Sequence, residues 1–310
     1  LIFSCAAPLF QLEHLFGSML KCSGNMKVPS MLNIMMCFLD VIFNSIFIFI
    51  LGFGVVGAAM GTSCAYLVIT SLMGYFLIFR SDILHLKGRR GSFRPTISTV
   101  KAAFGIGAPM GLQHLLMGGA QIVSTMIVAP LGTIAIAAHS LAITVESLCY
   151  MPGYGIAEAA TTLVGQGIGA GQRLLTRSFA YLSVGLGVLV MTFMGGMMYL
   201  FAPQLMVLMT PVELIQEVGT VCLRIEAFAE PMFAAAIVCN GVFIGAGDTL
   251  RPAMMSLASM WGVRLTLAAL LAVSHGLPGV WTAMAIELTF RGLIFLTRLW
   301  HGGWANRMRT

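Results

Sequence analysis

Glu226 and Glu230 stand four residues apart in a strongly apolar stretch, so a helix there places both carboxylates on one face. Two carboxylates that close repel in a low dielectric, and binding a proton or a Na⁺ relieves the repulsion. The plainer reading puts Glu226 near an interface and Glu230 in a hydrogen bond to another helix. Glu146 and His139 lie two turns apart on one face of a second apolar segment. An acid beside an imidazole can relay a proton, or it can simply hydrogen-bond a neighbouring helix. Pro152 and Gly153 follow, where a break would turn carbonyls toward a cation and a tolerated kink is the bland alternative. These four residues, Glu230, Glu226, Glu146 and His139, are the candidates for coupling to a cation. A second group suits the wall of a substrate cavity: Asp40, Gln113, His114, Arg264 and Glu287. Each has a structural reading too. Gln113 and His114 can serve packing, Asp40 and Arg264 can pair with neighbours, and Glu287 stands in the favourable order for an ion pair with Arg291. No catalytic set and no metal cluster stands out. The 7 cysteines lack any C-x-x-C spacing and read as small buried hydrophobes.

The elements that must hold these groups are membrane helices. Of 310 residues, 58% are hydrophobic and only 9% charged, with a mean hydropathy of +0.94. A soluble domain carries about a quarter of its residues as Asp, Glu, Lys and Arg, so lipid is the solvent here. Apolar segments fall near 1–20, 28–50, 55–79, 102–129, 134–164, 178–202, 218–244, 252–273 and 279–300. Ten-residue alternating segments, the mark of a barrel, are missing. If each segment crosses once, every Lys and Arg outside the segments falls on one side. Lys21, Lys27, Arg173, Arg177, Arg251, Arg298, Arg307 and Arg309 are there, with Arg80, Lys87, Arg89, Arg90, Arg94 and Lys101 of a basic linker at 80–101. Apart from Arg298 at the very end of the last segment, only Arg224, Arg264 and Arg291 lie within segments, and the 203–217 loop opposite carries Glu213 and Glu217. Basic loops mark the cytoplasm. The net charge of +6 is thereby explained by topology, without a nucleic-acid partner.

An internal repeat organises the chain. At an offset of 223 positions, Ala-Ala-Pro-Leu-Phe (6–10) lies over Ala-Glu-Pro-Met-Phe (229–233), and Ser-Gly-Asn-Met-Lys-Val-Pro (23–29) over Ala-Gly-Asp-Thr-Leu-Arg-Pro (246–252). After a one-residue gap, Val56, Ala59 and Met60 fall on Val280, Ala283 and Met284. The first three segments therefore repeat as the last three. An even number of helices separates the copies, so both point the same way through the membrane, a transporter architecture. Segments four to six have no counterpart, which predicts that about 120 residues or more of a six-helix unit precede Leu1.

Four motifs resemble the multidrug and toxic compound extrusion family. They are Gly245-Ala-Gly-Asp-Thr-Leu-Arg-Pro252, Ser259-Met-Trp-Gly-Val-Arg264, Gly54-Val-Val-Gly-Ala-Ala59 and Met151-Pro-Gly-Tyr-Gly-Ile-Ala-Glu-Ala-Ala-Thr-Thr-Leu-Val-Gly-Gln-Gly167. The resemblance spans essentially the whole chain and implies an all-α, polytopic membrane fold of twelve helices, of which these are the fourth to the twelfth. It assigns 1–79 to the remnant of an N-terminal lobe (helices 4–6), 80–101 to a cytoplasmic linker, 102–300 to a C-terminal six-helix lobe and 301–310 to a cytoplasmic tail. It also implies two lobes in a V around a cavity, and a monomer in the inner membrane. No cofactor is implied beyond Na⁺ or H⁺ as coupling ion, and the expected function is export of small amphipathic, often cationic molecules by alternating access. The chain departs from the family where the first-helix carboxylate that many members use would precede Leu1, and where several members carry a glutamate about two turns after the proline of helix seven. Eight residues on from Pro109 stands Met117.

Two alternatives belong to other classes. A lipid-linked oligosaccharide flippase of the same superfamily would want more basic residues in its cavity than Arg224, Arg264 and Arg291 supply. An intramembrane aspartyl protease is suggested by Gly245-Ala-Gly-Asp248, but it needs a second aspartate at matching depth. Asp248 precedes Pro252 and repeats Asn25, which reads as a turn and helix cap. Gly165-Gln-Gly-Ile-Gly-Ala-Gly171 follows a helix, whereas a dinucleotide loop follows a strand.

Overall fold

With no water to hydrogen-bond it, a backbone in lipid must satisfy its own N–H and C=O groups, and a helix does so within one segment. The computed structural model describes residues 2–80 and 96–304, and among these there is no strand. Helix α1 spans Ile2–Cys22 and α2 Lys27–Ser45, the latter extended by a π-helical turn Ile46–Ile50. Helix α3 is Gly54–Tyr75, prolonged by a second π turn Phe76–Arg80. Then follow α4 (Ile97–Val128), α5 (Thr133–Gly169), α6 (Arg173–Met209), α7 (Glu213–Ala227) and α8 (Glu230–Gly245). Last come α9 (Leu250–Leu257), a π turn Ala258–Arg264, and α10 (Leu265–His301).

Six helical stretches are long and apolar enough to cross a membrane, and the pair α7–α8, bent by 59°, supplies a seventh if counted as one span. Helix α1 falls short of that standard because Gln11, Glu13 and His14 sit at its middle. The final stretch, Leu250–His301, has 52 residues, roughly 78 Å if straight and more than twice a hydrocarbon core. It does not run straight. The backbone leaves the helix at Gly276 (φ 61°, ψ −141°). Ser259 Oγ donates to Glu287 Oε1 at 2.5 Å, and Arg264 Nη2 meets Met284 Sδ at 2.6 Å. On a single rod these pairs would be about 42 and 30 Å apart. The stretch is a hairpin with arms 250–275 and 277–301, matching the two segments read from hydropathy.

The repeat is written into the backbone as well. Gly24 (φ 89°) and Gly247 (φ 74°), equivalent at the offset of 223, both adopt the left-handed conformation that glycine favours. Each turn carries the same pair of bonds. Gly24 N donates to Lys21 O at 3.0 Å and Asn25 N to Leu20 O at 3.2 Å, while Gly247 N donates to Ile244 O and Asp248 N to Phe243 O, both at 2.9 Å. After the one-residue gap, Gly52 (φ 68°) falls on Gly276.

Three local readings change. The loop expected at 203–217 is mostly helix, since α6 continues through Pro203 to Met209 and α7 starts at Glu213. At 37 residues α6 is about 55 Å long, so its ends project beyond the hydrocarbon. In the basic stretch 80–101, Arg80 closes the helical extension of α3, and α4 already begins at Ile97, capped by Thr96 Oγ1 accepting from Thr99 N at 3.4 Å. The remainder of that linker, with Lys87, Arg89, Arg90 and Arg94, lies outside the described residues, as does the tail from 305 with Arg307 and Arg309. Asp248 does not cap a helix through its carboxylate, which instead pairs with Arg298. Its repeat mate Asn25 does act as a cap, accepting from Val28 N at 3.3 Å.

The chain divides into two compact units, Leu1–Arg94 and Pro95–Thr310. The first packs α1, α2 and α3 around Leu20, Leu32, Ile69, Met73 and Leu77. In the second, α5, α6, α8 and α10 surround a core rich in alanine and glycine. Small residues matter because lipid offers no hydrophobic reward for association, so close backbone packing supplies it. A Cβ on Gly241 would lie 2.5 Å from Ala157 O, and one on Gly245 2.5 Å from Thr161 O. Thr161 Oγ1 donates across this seam to Gly241 O at 2.9 Å. Gly241→Leu is therefore expected to cost about 1–3 kcal/mol by overpacking, read as a lowered unfolding temperature in detergent. Gly185→Leu, at a position with nothing within 4 Å of an added Cβ, should leave it unchanged.

Candidate functional site

The second unit gathers most of its buried ionisable groups around one small cavity. The pair Glu226 and Glu230 does not share a helix face as the spacing suggests. Pro231 opens α8 and cannot donate a backbone hydrogen bond, so the chain breaks between α7 and α8. Ala229 N donates to Glu226 O at 2.8 Å and Met232 N to Ala229 O at 3.0 Å, tight turns that carry the chain through the bend. Glu226 thus sits in the last turn of α7 and Glu230 at the first position of α8. Both are fully buried, and none of their four carboxylate oxygens has a hydrogen-bond partner. Gly195 of α6 makes room for this arrangement, since a Cβ there would lie 2.9 Å from Glu230 Cβ.

Helix α5 brings Glu146, 5% exposed, to the same region. It lines a cavity of about 140 Å³ together with Tyr150, Tyr154, Gln121, Arg264 and Arg291. Glu226 lies within electrostatic reach of Glu146, Arg264, Glu230 and Glu287. These acids are not equally compensated. Glu287 Oε1 receives Arg291 Nε at 2.7 Å, Arg291 Nη2 at 2.6 Å and Ser259 Oγ at 2.5 Å, so the ion pair expected from the spacing is present and reinforced. Glu146 and Glu226 lie within electrostatic reach of Arg264, whose Nη2 rests on Met284 Sδ, and Glu230 lies within reach of Glu146 and Glu226. With Glu287 counted, four carboxylates of this cluster stand against the two guanidiniums of Arg264 and Arg291. Burying the surplus as bare charge would cost several kcal/mol per ion, so the cluster needs protons or cations to be neutral.

The other candidates have distinct settings. Trp281 Nε1 donates to His139 Nδ1 at 3.1 Å with the rings edge to face, which requires that nitrogen to carry no proton. His139 therefore has a partner of its own, and no hydrogen bond joins it to Glu146 among the described residues. Gln113 is half-buried and His114 exposed on α4. The cavity receives Met117 and Gln121 from that helix instead, one and two turns further on. Met117, eight residues on from Pro109, is thus a cavity wall. Asp40 belongs to the first unit, where its buried Oδ1 has no hydrogen-bond partner. Tyr66 lies within electrostatic reach of both Asp40 and Glu13. Glu13 was passed over in the sequence, as were Gln121, Tyr150 and Tyr154. For Glu13 the available signal was a lone acid in the middle of an apolar helix.

Comparison with known proteins fits this architecture. The MatE family model matches residues 109–270, half of the chain. The probable multidrug resistance protein NorM of Thermotoga maritima is 28% identical over 304 residues, covering 96% of this chain and 65% of its own length. The multidrug resistance protein MdtK of Pectobacterium atrosepticum is 24% identical over 300 residues, covering 92% and 66%. This chain thus spans about two thirds of the length of these relatives. Among solved structures, MATE in complex with MaL6 aligns over all of this chain and 70% of its own, with a TM-score of 0.91 at 20% identity. The Vibrio cholerae MATE transporter VcmN in its bent form aligns over 96% and 66%, with a TM-score of 0.82 at 20% identity. The helical fold, the ordered motifs and the family match agree: this multi-pass membrane chain belongs to the MatE family, the multidrug and toxic compound extrusion transporters, which are secondary transporters and not enzymes.

Proposed function

We propose that the whole protein is a cation-coupled antiporter that exports amphipathic, cationic drugs or metabolites by alternating access, with Na⁺ or H⁺ as the coupling ion. One observation carries the reading: Glu146, Glu226 and Glu230 are buried within electrostatic reach of one another, with Arg264 near the first two and the oxygens of Glu226 and Glu230 unpartnered. Buried ionisable groups in membrane helices are costly and mark ion pathways. A cluster that can be neutral only by taking up protons or cations has its occupancy tied to the ionic environment. In the coupling step, cation uptake at Glu230 and its neighbours relieves repulsion and favours one conformation, and substrate binding favours the other. The names of the relatives, multidrug resistance proteins, support drugs as cargo. The protein would lie in the inner membrane as a monomer, with its basic loops and C-terminus in the cytoplasm.

The surplus of acid over base in the buried cluster, Glu146, Glu226, Glu230 and Glu287 against Arg264 and Arg291, disfavours the flippase reading, because a lipid-linked diphosphate calls for several cations. Arg291 is already committed to Glu287.

In the full-length protein, Glu230→Gln is expected to cut dye efflux driven by a Na⁺ or H⁺ gradient by at least roughly tenfold while leaving yield and unfolding temperature intact, since glutamine removes a charge and keeps the shape. Unchanged coupled efflux would sink the assignment. Glu287→Gln should behave in the opposite way. It strands Arg291 in the interior, at a cost of about 3–5 kcal/mol, and is expected to lower the unfolding temperature sharply. A Glu287→Gln protein as stable as its parent would show that the Glu287–Arg291 pair is not structural.

A further inference from the structure

Of Arg224, Arg264 and Arg291, Arg224 does not sit in the buried cluster. It lies on α7 against the ring of Tyr199 on α6, with its guanidinium carbon 5.5 Å from the ring centroid. Phe228 crosses Tyr199 edge to face with centroids 5.5 Å apart. These three residues, with Val221, Ile225 and Thr282, line a groove of about 420 Å³. No ion pair joins Arg224 to a carboxylate among the described residues, and Phe228 is 76% exposed.

The depth of the groove follows from helix geometry. Helix α6 starts at the basic residues Arg173 and Arg177. At 1.5 Å per residue, about 33 Å of helix separate Arg177 from Tyr199, the thickness of a hydrocarbon core. Tyr199 and Arg224 therefore stand at the membrane interface opposite the basic loops. Thr282 agrees, lying just past the Gly276 turn that reverses the hairpin on that side. Aromatic rings with a cation among them at this level match the chemistry of lipid headgroups. A guanidinium stacked on a ring keeps its donor edge free for a bidentate phosphate contact. Val221, Ile225 and Phe228 offer apolar surface beside it for glycerol and acyl chain.

We propose that this groove is a binding site for a phospholipid of that leaflet, held by its phosphate on Arg224 and by its glycerol and upper acyl chain on Phe228, Val221 and Ile225. The lipid is a resident ligand of the lobe and is distinct from cargo, so the site does not depend on the antiport reading.

The test uses the full-length protein purified in a neutral detergent and follows its unfolding temperature. The probes are dioleoylphosphatidylglycerol, dioleoylglycerol (the same chains without phosphate) and inorganic phosphate. Phosphatidylglycerol is expected to raise the unfolding temperature in a saturable way, and neither dioleoylglycerol nor inorganic phosphate should do so. Arg224→Gln should need roughly tenfold more lipid for the same rise, the loss expected for one charge-assisted contact. Arg224→Lys, which keeps the charge and loses the fork, should fall between Gln and parent. A Gln variant that responds like its parent, a Lys variant no better than Gln, or an equal rise from inorganic phosphate alone would each overturn the proposal.

Discussion

Lipid cannot hydrogen-bond a backbone or solvate a charge, and both halves of that constraint shape this chain. The first half requires nearly continuous helix and confines breaks to places where the freed groups find partners. At the α7–α8 bend, tight turns satisfy the chain on either side of Pro231. At Gly276 a single left-handed residue turns the hairpin. The second half requires each buried charge to be answered. Glu287 and Arg291 answer each other, with Ser259 completing the pair. Glu146, Glu226 and Glu230 crowd one another with Arg264 beside the first two, and this shortfall of positive charge sets the interior of the second unit apart.

Much of the architecture was legible because it rests on long-range statistics. Spans follow from hydropathy summed over some twenty residues, and the confinement of basic residues to one side cross-checks their number. The repeat was legible from a handful of aligned residues. It proved deeper than its identities, for Gly24 and Gly247 carry the same turn although one is followed by Asn25 and the other by Asp248. Those two side chains have since taken different partners, Val28 N in one case and Arg298 in the other.

The walls of the site were less legible, for a physical reason. In a soluble helix the polar face marks the outside, so helical phase can be read from residue type. In lipid every face is apolar, and phase is lost. Nothing in the sequence distinguishes Gln121, which lines the cavity, from Gln113, which does not. Tyr150 and Tyr154 could equally have been interface anchors. The placement of Glu226 and Glu230 on one helix failed because Pro231 was read as lying within a span. Pro152, in a similar setting, is absorbed inside the unbroken α5. Proline alone does not say which outcome follows.

The terminal hairpin is tied across its arms at three levels: Asp248 to Arg298 near one end, Ser259 to Glu287 in the middle, and Arg264 to Met284 toward the Gly276 turn. Mechanically it is a laced strut, unable to shear one arm past the other without breaking all three lacings together. The 59° joint between α7 and α8 differs, with two short levers and, among the described residues, no side-chain bond lacing one to the other. The residues on either side of that joint are Glu226 and Glu230, so the bend and the two unpartnered buried carboxylates share one short stretch of chain.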